Sequence, residues 1–288
     1  MTPTRSEMFF KGFDNSQLFL QTWFHEKSCG TILITHGQGE HSESYQRVIN
    51  EFNLLSEQNK QLPWNFIAWD LRGHGRSNGL RGYARDIDDY VLDFECFINK
   101  VSEMKTLTQK PVLLMAHSMG GLIQTCALVE NKAPFAKGQL MSAPFLGIGV
   151  TVPAWKDVGS EILNRYLPKI TLGNELKNEM LSRDPEVIRE YESDPYRHNK
   201  ISSGVYLSAK REFKKLTSRF SEIELPTFMT ISDNDPVVSS SAAMAYFDAI
   251  KSTQKGLKIV EGGAHELFND VGRKDTIKST YEFAGQLV

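Results

Sequence analysis

Pro111-Val-Leu-Leu-Met-Ala-His-Ser-Met-Gly-Gly121 is the stretch whose reading decides the fold. The apolar run Pro111 to Ala116 does not alternate with polar residues, as expected of a strand buried on both faces. Met119 to Glu130 follows with the composition of a helix. Between them, Ala116-His117-Ser118-Met119-Gly120-Gly121 fits the tight strand-to-helix turn that presents a serine nucleophile at the edge of a sheet. The residues two before and two after the serine must be small so that strand and helix can pass closely. The usual pattern is Gly-x-Ser-x-Gly; here Ala116 takes the first position, and alanine is small enough in principle. A glycine-rich turn without chemistry is the competing reading of these six residues.

The pattern extends outward in both directions. Thr31–Thr35, Asn65–Asp70, Gly138–Ser142, Thr227–Ser232 and Leu257–Val260 read as strands. Residues 43–59, Ile87–Met104, Ser239–Ile250 and Asp275–Leu287 read as helices; in Ile87–Met104 the apolar positions Val91, Phe94, Ile98 and Val101 fall at helical spacing. Near the start, Met8–Phe13 and Gln17–Phe24 flank the turn-forming Asp14-Asn15-Ser16 and predict a hairpin. Alternating strands and helices predict an α/β fold with a mostly parallel central sheet and helices on both faces. Residues 144–206 break the alternation with helical patterns, prolines and no convincing strand. They read as a helical cap insertion of a size to act as a lid, leaving 1–143 and 207–288 as the core.

A chain of 288 residues, 40% hydrophobic and 24% charged, can bury a sizeable core without staples. Its net charge of −2 gives no broad basic surface, so no nucleic-acid partner is expected. Cys29, Cys96 and Cys126 are odd in number and show no CxxC spacing, which favours a reducing compartment. The first residues lack the apolar core of a signal peptide. No stretch approaches the roughly 20 apolar residues that span a bilayer. A cytoplasmic location is therefore expected, with adhesion to a membrane surface left open.

A serine needs a base, and the base needs an orienting acid. In the expected chain order of nucleophile, acid, histidine, only His198 and His265 follow Ser118. His198 lies in the insertion. His265 lies in Glu261-Gly-Gly-Ala-His265, directly after a strand, at the sheet edge where open α/β folds bind ligands. The acid is sought in Thr230-Ile-Ser-Asp-Asn-Asp-Pro-Val-Val238. Asp235 is favoured, with Asp233 as its competitor; either aspartate alone is also an ordinary turn former. Thr35-His-Gly-Gln-Gly39 follows an early strand, so the N–H groups of Gln38 and Met119 are the two candidate oxyanion donors. In Asp70-Leu-Arg-Gly-His-Gly-Arg-Ser77, the side chains of Arg72, His74 and Ser77 are expected to brace loops. No histidine–carboxylate spacing suggests a metal site, and this chemistry calls for no cofactor.

These motifs together resemble the monoacylglycerol lipases and related bacterial lysophospholipases. The resemblance rests on His36-Gly-Gln-Gly-Glu-His-Ser42 with Tyr45, on Asp70 to Ser77, on Asp88-Asp89-Tyr90 and on His117-Ser-Met-Gly-Gly121. Asp235 before Pro-Val-Val and Gly263-Ala-His-Glu266 complete it. It runs from about Phe9 to the C-terminus and is thinnest over the insertion, where Asp194-Pro195 is shared. It implies an α/β-hydrolase fold with a helical cap and hydrolysis of a single-chain lipid ester. It further implies Ser118, Asp235 and His265 as the triad, with Gln38 and Met119 as oxyanion donors. Two positions depart from the pattern: Ala116 for glycine, and Ser44 where arginine is common. Apolar residues of the insertion (Ile148, Val150, Val152, Trp155, Ile162, Leu163, Leu167) are expected either to line an acyl-chain tunnel or to pack against the core. Some of them could rest on a lipid surface. A general esterase, thioesterase or peptidase of the same fold, an acyltransferase using the same serine, and a non-catalytic binding protein are the alternatives.

Overall fold

The computed structural model describes residues 2–150 and 152–288. In chain order it runs β1 (Thr4–Lys11), β2 (Gln17–Phe24), β3 (Gly30–Thr35), α1 (Gln46–Gln58), β4 (Trp64–Trp69), α2 (Ile87–Glu103), α3 (Lys105–Thr108), β5 (Val112–His117), α4 (Met119–Val129) and β6 (Ala136–Ser142). It continues with α5 (Ala154–Tyr166), β7 (Thr171–Gly173), α6 (Asn178–Leu181), α7 (Pro185–Ser193), β8 (Lys200–Ser202), α8 (Ser203–Thr217), β9 (Thr227–Ser232), α9 (Ser240–Ala249), β10 (Lys255–Val260) and α10 (Arg273–Gly285). Eight strands form one sheet in the order β1-β2-β4-β3-β5-β6-β9-β10. Pairing is antiparallel at β1–β2 and β2–β4 and parallel from β4 to β10.

Every residue of β3, β4 and β5 is buried. Successive side chains of a strand point to opposite faces, and the core divides accordingly. Leu33, Ile67, Trp69 and Leu114 pack on one face with Tyr90, Phe94 and Phe97 of α2, Leu122 of α4, Ala209 of α8 and Tyr246 of α9. Ile32, Ile34, Phe66 and Met115 pack on the other with Val48 and Phe52 of α1 and Ile277 and Tyr281 of α10. The sheet is thus covered on both sides, as the unbroken apolar strands require. The fold is that of the α/β-hydrolases.

The segment between β6 and β9 differs from its sequence reading in two respects. It contains two strands, β7 and β8, paired antiparallel from Thr171↔Ser202 to Gly173↔Lys200. Three residues are too few for an alternating pattern to register. Helix α8 starts at Ser203, whose preceding Ser202 caps it by accepting from Val205 N, and runs on through residue 206. Its Val205 and Ala209 are buried in the main core, and Ile87 N donates to Ser208 Oγ at 2.9 Å.

Candidate active site

Because β3, β5, β6, β9 and β10 run parallel, their C-terminal ends open on one rim of the sheet, where loops and helix N-termini meet. Ser118 sits there, after β5 and before α4, with φ 49° and ψ −119°. For a residue with a Cβ this conformation costs on the order of 1–3 kcal/mol. The turn is held from several sides: Ser118 N donates to Ser142 O at 3.1 Å, and Ser118 O accepts from Gly121 N and Phe145 N, each at 2.9 Å. Close passage of α4 over β3 demands Gly120, where an added Cβ would lie 2.2 Å from the backbone oxygen of Thr35. Ala116, in place of the usual glycine, is fully buried in β5.

The loop after β10 brings His265 to the serine, with Nε2 2.9 Å from Ser118 Oγ. The loop after β9 brings Asp235, whose Oδ2 and Oδ1 lie 2.9 and 3.1 Å from His265 Nδ1. An Nδ1–H donating to the carboxylate leaves the Nε2 lone pair to accept the serine proton. Asp235 Oδ1 also accepts from Val237 N at 2.8 Å and Val238 N at 3.0 Å. Burial alone would raise the Asp235 carboxyl, but His265 and these two N–H donors outweigh it and hold it below the usual carboxylate range. Asp233, the competing acid, is exposed and accepts from Gly262 N at 2.7 Å, bracing the histidine loop from outside. His198 packs its ring against His74, centroids 4.5 Å apart, and its Nε2 bonds Gly73 O. It is not the base.

The loop after β3 meets the serine turn at Gly37, where an added Cβ would lie 3.0 Å from Ser118 Cβ. Among the described residues, neither Gln38 N–H nor Met119 N–H donates to a protein acceptor. Both are free to meet a developing oxyanion. Gly39, at φ +81°, tolerates no side chain because a Cβ would lie 2.3 Å from His198 O, and Gly39 O accepts from His198 N at 3.0 Å. The Gln38 amide donates to Lys200 O at 2.5 Å. This loop is therefore tied to His198, between α7 and β8, and to Lys200 at the start of β8.

Arg72, His74 and Ser77 brace loops, as their positions suggested. Arg72 pairs with Asp93 (2.5 Å) and Asp14 (3.0 Å). Ser77 Oγ donates to Asp70 O at 2.5 Å and accepts from Phe19 N at 2.8 Å. Leu71 N donates to His36 Nε2 at 2.9 Å.

A buried ionic cluster beside His265 was not anticipated. Glu40 Oε1 accepts from Gly37 N at 2.5 Å and Tyr45 O–H at 3.1 Å. Glu266 accepts from Tyr191 O–H and pairs with Arg197, whose guanidinium lies 3.6 Å from the centre of the Tyr191 ring. Burial and the neighbouring Glu266 push Glu40 up to about 8. Burial would also raise Glu266, but Arg197 pulls it below its ordinary value. Burial and the adjacent His265 push His117 down to about 3, so its ring is neutral. Glu40 and Glu266 fall inside the quoted motifs, but Tyr191 and Arg197 carry no local signature in a polar, charged stretch.

Of the apolar residues named for the insertion, Ile148, Val152 and Leu163 are half-buried, and Ile148 bridges to Val238 of the core. Val150, Trp155, Ile162 and Leu167 are exposed, and no residue of α5 is buried. The apolar side of this helix faces outward, so those residues neither enclose a channel nor pack on the core.

The serine aminopeptidase S33 family model matches residues 26–272. The chain is 30% identical to the human monoglyceride lipase over 273 residues, covering 90% of this chain and 82% of that protein. It is 25% identical to phospholipase YtpA of Bacillus subtilis over 93% of this chain and 99% of the relative. It also matches 28% of the length of an uncharacterized abhydrolase domain-containing protein of Dictyostelium discoideum, at 26% identity over 94% of this chain. A crystal structure of a soluble variant of the Saccharomyces cerevisiae monoglyceride lipase superposes with a TM-score of 0.82 at 17% identity, over 100% of this chain and 96% of that one. With its serine turn on an eight-stranded sheet, the chain belongs to the serine aminopeptidase S33 family and is a serine hydrolase of the monoacylglycerol lipase type.

Proposed function

We propose that the chain hydrolyses the carboxylic ester of a single-chain lipid, a monoacylglycerol or a lysophospholipid, through an acyl-enzyme on Ser118. The observation that carries this reading is the unbroken hydrogen-bonded line from Ser118 Oγ through His265 to Asp235. His265 Nε2 takes the hydroxyl proton as Oγ attacks the ester carbonyl. The oxyanion is met by Gln38 N–H and Met119 N–H, each contributing on the order of 2.7–4 kcal/mol. The tetrahedral intermediate collapses as the imidazolium donates its proton to the leaving alcohol. Water then repeats the sequence on the acyl-serine, releasing the fatty acid and restoring Ser118. Asp235 stabilises the imidazolium at each stage.

An ester substrate suits the surroundings better than a peptide with a free amino terminus, which needs an uncommitted carboxylate. Asp235 is committed to His265, Glu266 to Arg197, and Glu40 is held largely protonated near neutral pH.

Ser118, Asp235 and His265 are 8%, 7% and 3% exposed, so the reacting groups are nearly closed off. We read residues 144–202 as a cap that must shift to admit substrate. On it, Trp155, Val158, Ile162 and Tyr166 are 70%, 58%, 55% and 68% exposed at helical spacing along α5. Lys156, Arg165 and Lys169 lie on or next to that helix. The occupant of this face is taken to be the surface of a lipid bilayer, from which the substrate is drawn. Among the described residues, no helix is long and apolar enough to cross a membrane. Free Cys29, Cys96 and Cys126 suit work from the cytoplasmic side.

Activity against monoacylglycerols, lysophospholipids and p-nitrophenyl esters of graded chain length tests the reading, with Ser118→Ala as control. Turnover of the lipid esters that disappears in Ser118→Ala is expected. Turnover of short esters alone would reduce the proposal to a general esterase.

A further inference from the structure

Next to the imidazole of His265 lies a buried charge arrangement that the acyl transfer does not consume. Glu40 and Glu266 are both almost fully buried and line one small pocket of about 10 Å3 with Ser44, Tyr45, His117 and Asn269, the size of a single water. Each carboxyl is fixed to a working loop. Glu40 holds Gly37 N–H, one residue before Gln38. Glu266 directly follows His265. Two carboxyls sharing one site do not both ionise readily, and here Glu266 carries the charge and needs a cation beside it.

That cation is Arg197, which pairs with Glu266. Its side chain is 9% exposed, and it comes from the cap, in the turn after α7. Tyr191, at the end of α7, stacks under the guanidinium and donates to the same Glu266. The histidine loop is held to the cap a second time: His265 N donates to Met180 O at 3.0 Å and Glu266 N to Leu181 O at 2.8 Å. Ser44 lines the same pocket from the core side.

We propose that Arg197 is a positioning residue for His265: a cap-borne guanidinium pairs with Glu266, the residue after His265, and holds the histidine loop in place. The imidazole and the oxyanion loop are then in register with Ser118 only while the cap is seated. This rests on the reading of Ser118, His265 and Asp235 as the catalytic groups. It assigns the cap a part in assembling the catalytic geometry in addition to admitting substrate.

The test uses p-nitrophenyl butyrate, a soluble ester that needs no lipid surface. Arg197→Ala is expected to lower kcat by about 10- to 100-fold with KM near the wild-type value, the pattern of a displaced catalytic group. Ser44→Arg in the same chain, returning the guanidinium from the core, is expected to recover about tenfold of that loss. If Arg197→Ala is not recovered folded, Arg197→Gln and its Ser44→Arg double variant are read the same way. A kcat for the single variant within about threefold of wild type, or a double variant no faster than the single, overturns the proposal. Ser118→Ala run alongside separates the two levels. If it is inactive while Arg197 variants are normal, only this inference fails. If it is active, the catalytic assignment itself fails.

Discussion

Ser118 is held at φ 49° with its hydroxyl 2.9 Å from His265 Nε2, and the roles of its neighbours follow from what each can reach. Asp235 reaches the imidazole and Asp233 does not. Asp235→Asn is therefore expected to lower kcat by about 10⁴-fold by favouring the wrong imidazole tautomer, while Asp233→Asn stays near the wild-type rate; steady-state kinetics on one soluble ester checks both. Glu40 gives a prediction of a different kind. Its folded value near 8 stands above its ordinary 4.5, so the folded state holds a proton there that the unfolded chain has released. The stability this contributes is complete below about pH 4.5 and is lost as pH rises through about 8. Glu40→Gln keeps a carbonyl acceptor for Gly37 N–H and cannot ionise. Its Tm should match wild type at pH 4.5 and exceed it at pH 8.5 by roughly 2 °C or more, as read by thermal melts at both pH values. The serine, the histidine and the two candidate acids were legible because each follows an apolar strand in a short glycine- or proline-marked loop. Sequence favoured Asp235 over Asp233, but both sit in one short loop, and the different contacts of the two appear only in the fold. Arg197 was not legible at all, because its ion-pair partner Glu266 lies 69 residues away.

At the level of elements, the working geometry depends on α4 lying close enough to β3 for its first turn to face the Gln38 loop. Gly120 permits this, and the atom an added methyl would meet is the backbone oxygen of Thr35, which cannot rotate away. Gly120→Ala is expected to destabilise the fold by about 1–3 kcal/mol, measured as a fall in denaturant midpoint, and to slow turnover in the protein that remains folded. The central strands and long helices were readable from sequence because burial on both faces leaves an unbroken apolar run and burial on one leaves a helical stripe. β1 begins at Thr4, before the apolar run at Met8, because an edge strand with mostly exposed side chains needs no apolar pattern. β7 and β8 are three residues each and leave no pattern. The stripe on α5 is real, but sequence periodicity does not say which way such a stripe faces. In the fold it faces out.

The molecule as a whole is a sheet whose parallel strands deliver Ser118, Asp235 and His265 to one rim, with residues 144–202 joined to the rest through polar contacts. Arg197–Glu266 is one of these; His41 Nε2 to Asp194 Oδ2 at 2.8 Å is another. The alternation of strand and helix announced the core, but the seating of residues 144–202 depends on pairings 69 and 153 positions apart that no local pattern encodes. The outward face of α5 gives a molecule-scale prediction. Trp155→Asp with Ile162→Asp should weaken co-sedimentation with anionic lipid vesicles and slow hydrolysis of vesicle-borne monoacylglycerol about tenfold or more, leaving p-nitrophenyl butyrate turnover unchanged. The convergence of the three side chains is probed most directly by intact-protein mass spectrometry after brief exposure to a fluorophosphonate. One adduct on the peptide carrying Ser118 is expected in the wild type, slowed severely in His265→Ala and absent in Ser118→Ala. A wild-type protein that stays unmodified at Ser118, or that is modified as fast without His265, would contradict it.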